Sequence, residues 1–210
     1  ALGASDGHEA DAVVDLPLGA QFLLWEYVTA IVSYVIGVNP FDQPNVESAK
    51  AAMRELLAGG KQGGSALPVS LTDGALTVSG PADLVEGAQS AAEVVDRVRG
   101  IVPQGGYVGL QAFVDRIGRS DLVKLRPQFA KRLGVATTFG FGPRYLHSTG
   151  QYHKGGHANG VFVQITDEAS TDFDVPETGF TFGELIAAQS RGDANVLHAT
   201  EPQSTHQMKT

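Results

Sequence analysis

The densest chemistry in the sequence lies in one stretch, Gly142-Pro-Arg-Tyr-Leu-His-Ser-Thr-Gly-Gln-Tyr-His-Lys-Gly-Gly156. It brings together Arg144, His147, Gln151, His153 and Lys154, with hydroxyls at Ser148 and Thr149. Imidazole is the side chain that exchanges a proton most readily near neutral pH. Guanidinium and ammonium groups complement a phosphate or an enediolate. The interspersed glycines let a ligand come close to the backbone. Three readings of this pattern stand side by side. It is a solvated polar loop; or a metal site in which His147, His153 and His157 supply three imidazoles; or a loop that binds and works on an anionic, oxygen-rich ligand.

A second stretch is Gly37-Val-Asn-Pro-Phe-Asp-Gln-Pro-Asn-Val-Glu-Ser-Ala-Lys50. Asn39-Pro40 breaks the chain, because proline disfavours helix in the residue before it. Pro44 suits the first turn of a new helix, where its missing N–H costs nothing. Asp42 and Gln43 therefore reach the positive end of that helix, where free N–H groups receive oxygen ligands. Gln43 and Lys50 stand about two helical turns apart and share a face. The ordinary alternative is a capping Asp42 with Gln43 and Lys50 in solvent.

The elements that must position these groups follow from periodicity. Residues 22–36 are apolar all round, the pattern of a buried central helix. Gln21, Glu26, Thr29 and Ser33 interrupt the apolar run, and a charge such as Glu26 is expensive in lipid, so a buried helix is favoured over a membrane span. No basic residue precedes the run, unlike a signal peptide. A helix is expected over 44–57, and a hairpin over 67–71 and 75–78 around Asp73-Gly74. Another helix is expected over 88–99. Strands are expected over 107–113, 135–141 and 161–165. A basic helix over 122–133 is delayed or kinked by Pro127, and a last helix spans 182–190. Strand, helix, strand at this spacing predicts a βαβ unit. Residues 1–17 read as a lead-in and 201–210 as a polar, fraying tail.

Composition bounds the function. The chain has 210 residues, of which 42% are hydrophobic and 18% charged, with 26 glycines, no cysteine and a net charge of −8. This suits an α/β domain rich in tight turns. Lack of cysteine excludes disulfides, cysteine zinc sites and thiol nucleophiles. The acidic balance argues against a nucleic-acid surface.

Both motifs resemble glucose-6-phosphate isomerases. Phe41, Asp42, Gln43, Val46, Glu47 and Lys50 match that family's C-terminal signature in identity and spacing. Glu26 and Gly37-Val38-Asn39 match the helix before it. Asn45 replaces a family glycine, a tolerable exchange because asparagine visits left-handed backbone geometry more easily than most residues. Pro44-Asn45, together with His-Ser-Thr-Gly-Gln and His-Lys-Gly-Gly from 147 to 156, is similar to an actinobacterial-type subgroup related to fusions with transaldolase. In ordinary members the histidine motif precedes the Phe-Asp-Gln signature, whereas here it follows by about a hundred residues. The resemblance covers about 19–50 and 105–197; residues 61–104 match no motif.

The resemblance implies an α/β fold, the C-terminal part of a SIS-like three-layer αβα isomerase, over residues 18–200. It implies catalytic roles for Lys50 and His147 at ring opening. Gln43, Arg144, Gln151, His153 and Lys154 would hold the sugar or its phosphate. No metal or organic cofactor is implied. The family's catalytic glutamate motif, Glu-Ser-Asn-Gly-Lys or Glu-Ser-Thr-Gly-Lys, is not in these 210 residues, nor is its Ser- and Thr-rich phosphate loop. A partner carrying the upstream half of the enzyme is therefore expected, besides a sugar-phosphate substrate and a homodimeric assembly. The implied setting is cytoplasmic, without nucleic acid or membrane. Two alternatives from other classes are a non-catalytic sugar-phosphate-sensing module and a metal-dependent, cupin-like isomerase built on the three histidines.

Overall fold

The structure is a computed structural model and describes residues 13–41, 69–168 and 171–200. It divides into two compact units, Ala1–Gln43 and Pro44–Thr210. The helix expected over 44–57 and the motif residues Asp42, Gln43 and Lys50 lie outside the described residues.

The first unit is built on helix α1, Leu18–Ile36. Gly37 ends it in the left-handed region, with φ 74°. Its N–H and that of Val38 donate to Tyr34 O and Ser33 O at 3.3 and 2.9 Å, satisfying the last free carbonyls. Asn39 Oδ1 then accepts from Phe41 N at 3.0 Å and turns the chain. The expectation of a buried helix is corrected here. Ser33 is buried, but Phe22, Tyr27, Ile31, Tyr34 and Val35 are all exposed. The helix is also long and apolar enough, by length and composition, to cross a membrane.

The second unit opens with an antiparallel hairpin of β1, Val69–Asp73, and β2, Leu76–Gly80. The pair Asp73↔Leu76 closes a two-residue loop, Gly74-Ala75. Helix α2, Ala82–Val85, and helix α3, Ala91–Ile101, follow. Asp73 Oδ2 accepts from Ala91 N at 2.9 Å and ties the hairpin to the start of α3. Strand β3, Tyr107–Phe113, leads through a 3-10 turn, Ser120–Lys124, into α4, Leu125–Leu133. Pro127 falls in the first turn of α4, so the preceding residues wind as 3-10 rather than as α-helix. Strand β4, Ala136–Phe141, a 3-10 turn, Arg144–His147, and helix α5, Thr149–Gly155, come next. Strand β5, Gly160–Thr166, and helix α6, Phe182–Thr200, complete the unit.

The sheet is parallel with order β4-β3-β5. Central β3 is buried on both sides, as its near-continuous apolar run requires. Val108 and Leu110 face a core made with Leu84, Val85, Val94, Val98 and Leu133 from α2, α3 and α4. Gln111 and Phe113 face the other way, toward the 144–155 segment and α6. Helices on both faces of a parallel sheet make a three-layer α/β architecture. The βαβ expectation holds, and the three parallel strands fall within a residue of their expected bounds, whereas the hairpin strands lie one to two residues later than expected.

Candidate functional site

The polar motif is not a loop. β4 turns through a cis Gly142–Pro143 peptide into the 3-10 turn and helix α5. Gly142 is required at the turn: a Cβ there would lie 2.5 Å from the Phe113 ring. Its N–H donates to Ala112 O at 2.8 Å and extends the β3–β4 pairing past the strand end. Arg144 and His147 leave this turn into solvent, while Tyr145 between them points inward.

Inward, Tyr145 packs edge-on against Phe113, with ring centroids 5.7 Å apart. Its hydroxyl donates to Asp193 Oδ2 on α6 in a short hydrogen bond. Burial, and then the Asp193 charge, push the phenol pKa far above its ordinary value, so it stays a donor. The other carboxylate oxygen of Asp193 lies 2.6 Å from Lys154 Nζ, and both side chains are only 1% exposed. The ion pair thus sits in the interior, and its ammonium finds no further hydrogen-bond acceptor among the described residues.

Next to it, His153 is half-buried among Phe162, Tyr145 and Tyr107, with ring centroids 4.9, 5.8 and 6.0 Å away. Its Nδ1 is 3.2 Å from Gln111 Nε2, within hydrogen-bond distance of the amide. Desolvation lowers the His153 pKa; Asp193 opposes this and Lys154 adds to it. Tyr107 is pushed up to about 12, by burial first and then by Tyr152. Gln151 Nε2 donates to Leu146 O at 2.6 Å and staples α5 to the preceding turn. Ser190 Oγ donates to Gln164 Oε1, and Gln164 Nε2 to Ser190 O, both at 3.2 Å, joining β5 to α6.

The segment therefore has two sides. The outer one presents Arg144 and His147, with Gln151 partly covered. The inner one is a buried polar cluster of Gln111, Tyr145, His153, Lys154 and Asp193. Lys154, expected to hold a phosphate, is already neutralised in the interior. His147, His153 and His157 do not converge, and among the described residues no group of three metal-ligating side chains forms. Asp193 and Gln111 were not singled out by sequence reasoning. A signal for Asp193 existed: it stands one helical turn before buried Leu197 and one after buried Ser190. A carboxylate on a buried stripe requires a partner.

No family model matches the chain. A segment of this chain resembles glucose-6-phosphate isomerases. The enzyme of Exiguobacterium sibiricum is 43% identical over 68 residues, which are 30% of this chain and 15% of that protein. Those of Heliobacterium modesticaldum and Clostridium perfringens are 41% and 37% identical over 68 and 78 residues. The matched segments span 15–17% of the length of these relatives. Among solved structures, a hypothetical protein from Thermus thermophilus superposes with a TM-score of 0.45 at 17% identity, over 53% of this chain and 32% of that one.

Proposed function

We propose that this chain is the C-terminal portion of an aldose–ketose isomerase that interconverts glucose 6-phosphate and fructose 6-phosphate. The observation that carries the reading is the 43% identity over 68 residues to a glucose-6-phosphate isomerase. The exposed pair Arg144 and His147 supports it, since a cation and a proton carrier on one short turn suit an anionic sugar.

His147 and Lys50 open the sugar ring. Gln43, Arg144 and Gln151 hold the sugar or its phosphate, while His153, like Lys154, is engaged on the inner side of the segment. Proton transfer between C1 and C2 through the enediol then needs a base poised near neutral pH, which an upstream portion of the enzyme supplies. Residues 18–200 form the isomerase portion, with a SIS-like fold and no metal or organic cofactor in the reaction. The working compartment is the cytoplasm, and the functional enzyme is a homodimer.

A coupled assay of fructose 6-phosphate formation tests this, run on the pure chain and on the chain combined with the upstream portion of a related isomerase. No turnover by the chain and turnover by the combination are expected. Turnover by the chain alone overturns the divided site. A combination that binds fructose 6-phosphate without turnover favours a sensing module instead.

A further inference from the structure

Tyr145 and Lys154 bracket the segment that carries His147 and Gln151, and both end on the same carboxylate. The Tyr145 hydroxyl donates to Asp193 Oδ2; Lys154 Nζ lies 2.6 Å from Asp193 Oδ1. A buried ion pair is a weak source of stability, because taking two charges out of water offsets much of their attraction; its best-attested use is to fix register. Here the register at stake is that of the turn and helix over 144–155 against α6. Two further contacts act along the same segment. Gln151 Nε2 donates to Leu146 O at 2.6 Å, and Gln111 Nε2 reaches His153 Nδ1 at 3.2 Å from the centre of the sheet.

We propose that Asp193 is a positioning residue: by anchoring Tyr145 and Lys154 it holds the backbone of the turn that carries His147 in one orientation. The inference rests on the isomerase reading for the purpose of that orientation, but the anchor itself is testable without it. Asp193 touches no substrate in this scheme. It acts through the two residues it pins, and a misplacement of about 1 Å at a reacting group costs on the order of 10²-fold in rate.

The experiment replaces the cluster by apolar groups of similar shape, Tyr145→Phe, Lys154→Met and Asp193→Leu together, so that no buried charge or hydroxyl is left unpaired. Where that triple variant does not fold, Lys154→Met with Asp193→Asn keeps the shape and an acceptor for Tyr145. Relaxation of the His147 backbone amide is measured by NMR in the 210-residue chain. One rigid signal is expected in the parent, and exchange broadening or several signals in the variant, with circular dichroism unchanged. An equally rigid His147 in a folded variant, or a mobile His147 in the parent, overturns the proposal. The kinetic arm uses the chain combined with the upstream portion. There, kcat on glucose 6-phosphate falls by on the order of 10- to 10²-fold with KM nearly constant. A mobilised His147 with undiminished kcat upholds the anchor and removes His147 from the isomerase reading.

Discussion

His153 shows what burial does to a single side chain. It is enclosed by Phe162, Tyr145, Tyr107 and Gln111, with Lys154 and Asp193 beside it. Its charged form is disfavoured, and the folded-state pKa lies below the ordinary 6.5. The sign follows from linkage. Above 6.5 neither state holds the proton and stability is undiminished. As pH falls below 6.5 the unfolded chain binds it first, so stability drops until the folded pKa is passed. Urea unfolding midpoints at pH 7.5 and 5.5 should show this loss, and His153→Gln should shrink it. The carboxylates with lowered values, Glu93, Asp96 and Asp172, act only at lower pH. Lys154 gives a sharper expectation. Lys154→Met alone leaves Asp193 buried and unpaired, which costs about 3–5 kcal/mol in chemical denaturation. Removing both charges restores most of it. His147→Ala, by contrast, should leave stability within about 0.5 kcal/mol, as at an ordinary surface site. In the combined enzyme it should slow turnover of cyclic glucose 6-phosphate and spare a sugar phosphate too short to close.

At the scale of elements, α6 matters most because it delivers Asp193 and Ser190. Its start carries a reciprocal cap. Glu184 N donates to Thr181 Oγ1 at 3.2 Å, and Thr181 N donates to Glu184 Oε2 at 3.0 Å. Thr181→Ala should cost about 1 kcal/mol, read as a lowered urea midpoint; an unchanged midpoint would mean that sheet packing alone fixes the helix. The start of α6 is placed correctly by sequence, but its end is not. Expected to stop at 190, it continues to Thr200, because Gly192 and Asn195 are tolerated once Leu197 is buried. The sequence of helix α5 reads as loop for the converse reason. Four glycines within 142–156 depress local helix propensity, and packing of Lys154 and Tyr145 on Asp193 outweighs that preference.

At the scale of the molecule, α1 is the element whose exposure differs most from the expectation of a buried helix. A helix apolar on every side calls for neighbours on every side, yet Tyr27 and Ile31 are each 61% exposed. Tyr27→Glu with Ile31→Glu should then change the stability of the chain by no more than about 0.5 kcal/mol per site. A loss of about 2–5 kcal/mol per site, the scale of a truncated core residue, would show that the helix is packed in solution.

Taken by itself, the sequence determined the α/β class, the three parallel strands and the two polar motifs, because strand period, turn residues and motif spacing are local properties of the chain. Tertiary structure decided which face of the 144–155 segment meets solvent. It turned Lys154 inward and left His147 outside. Charge type alone does not separate the two, since a basic side chain is read as a ligand group or as half of a buried pair only once the distant carboxylate is placed. Asp193 lies 39 positions from Lys154, and only the packing of α6 on the sheet brings it to 2.6 Å.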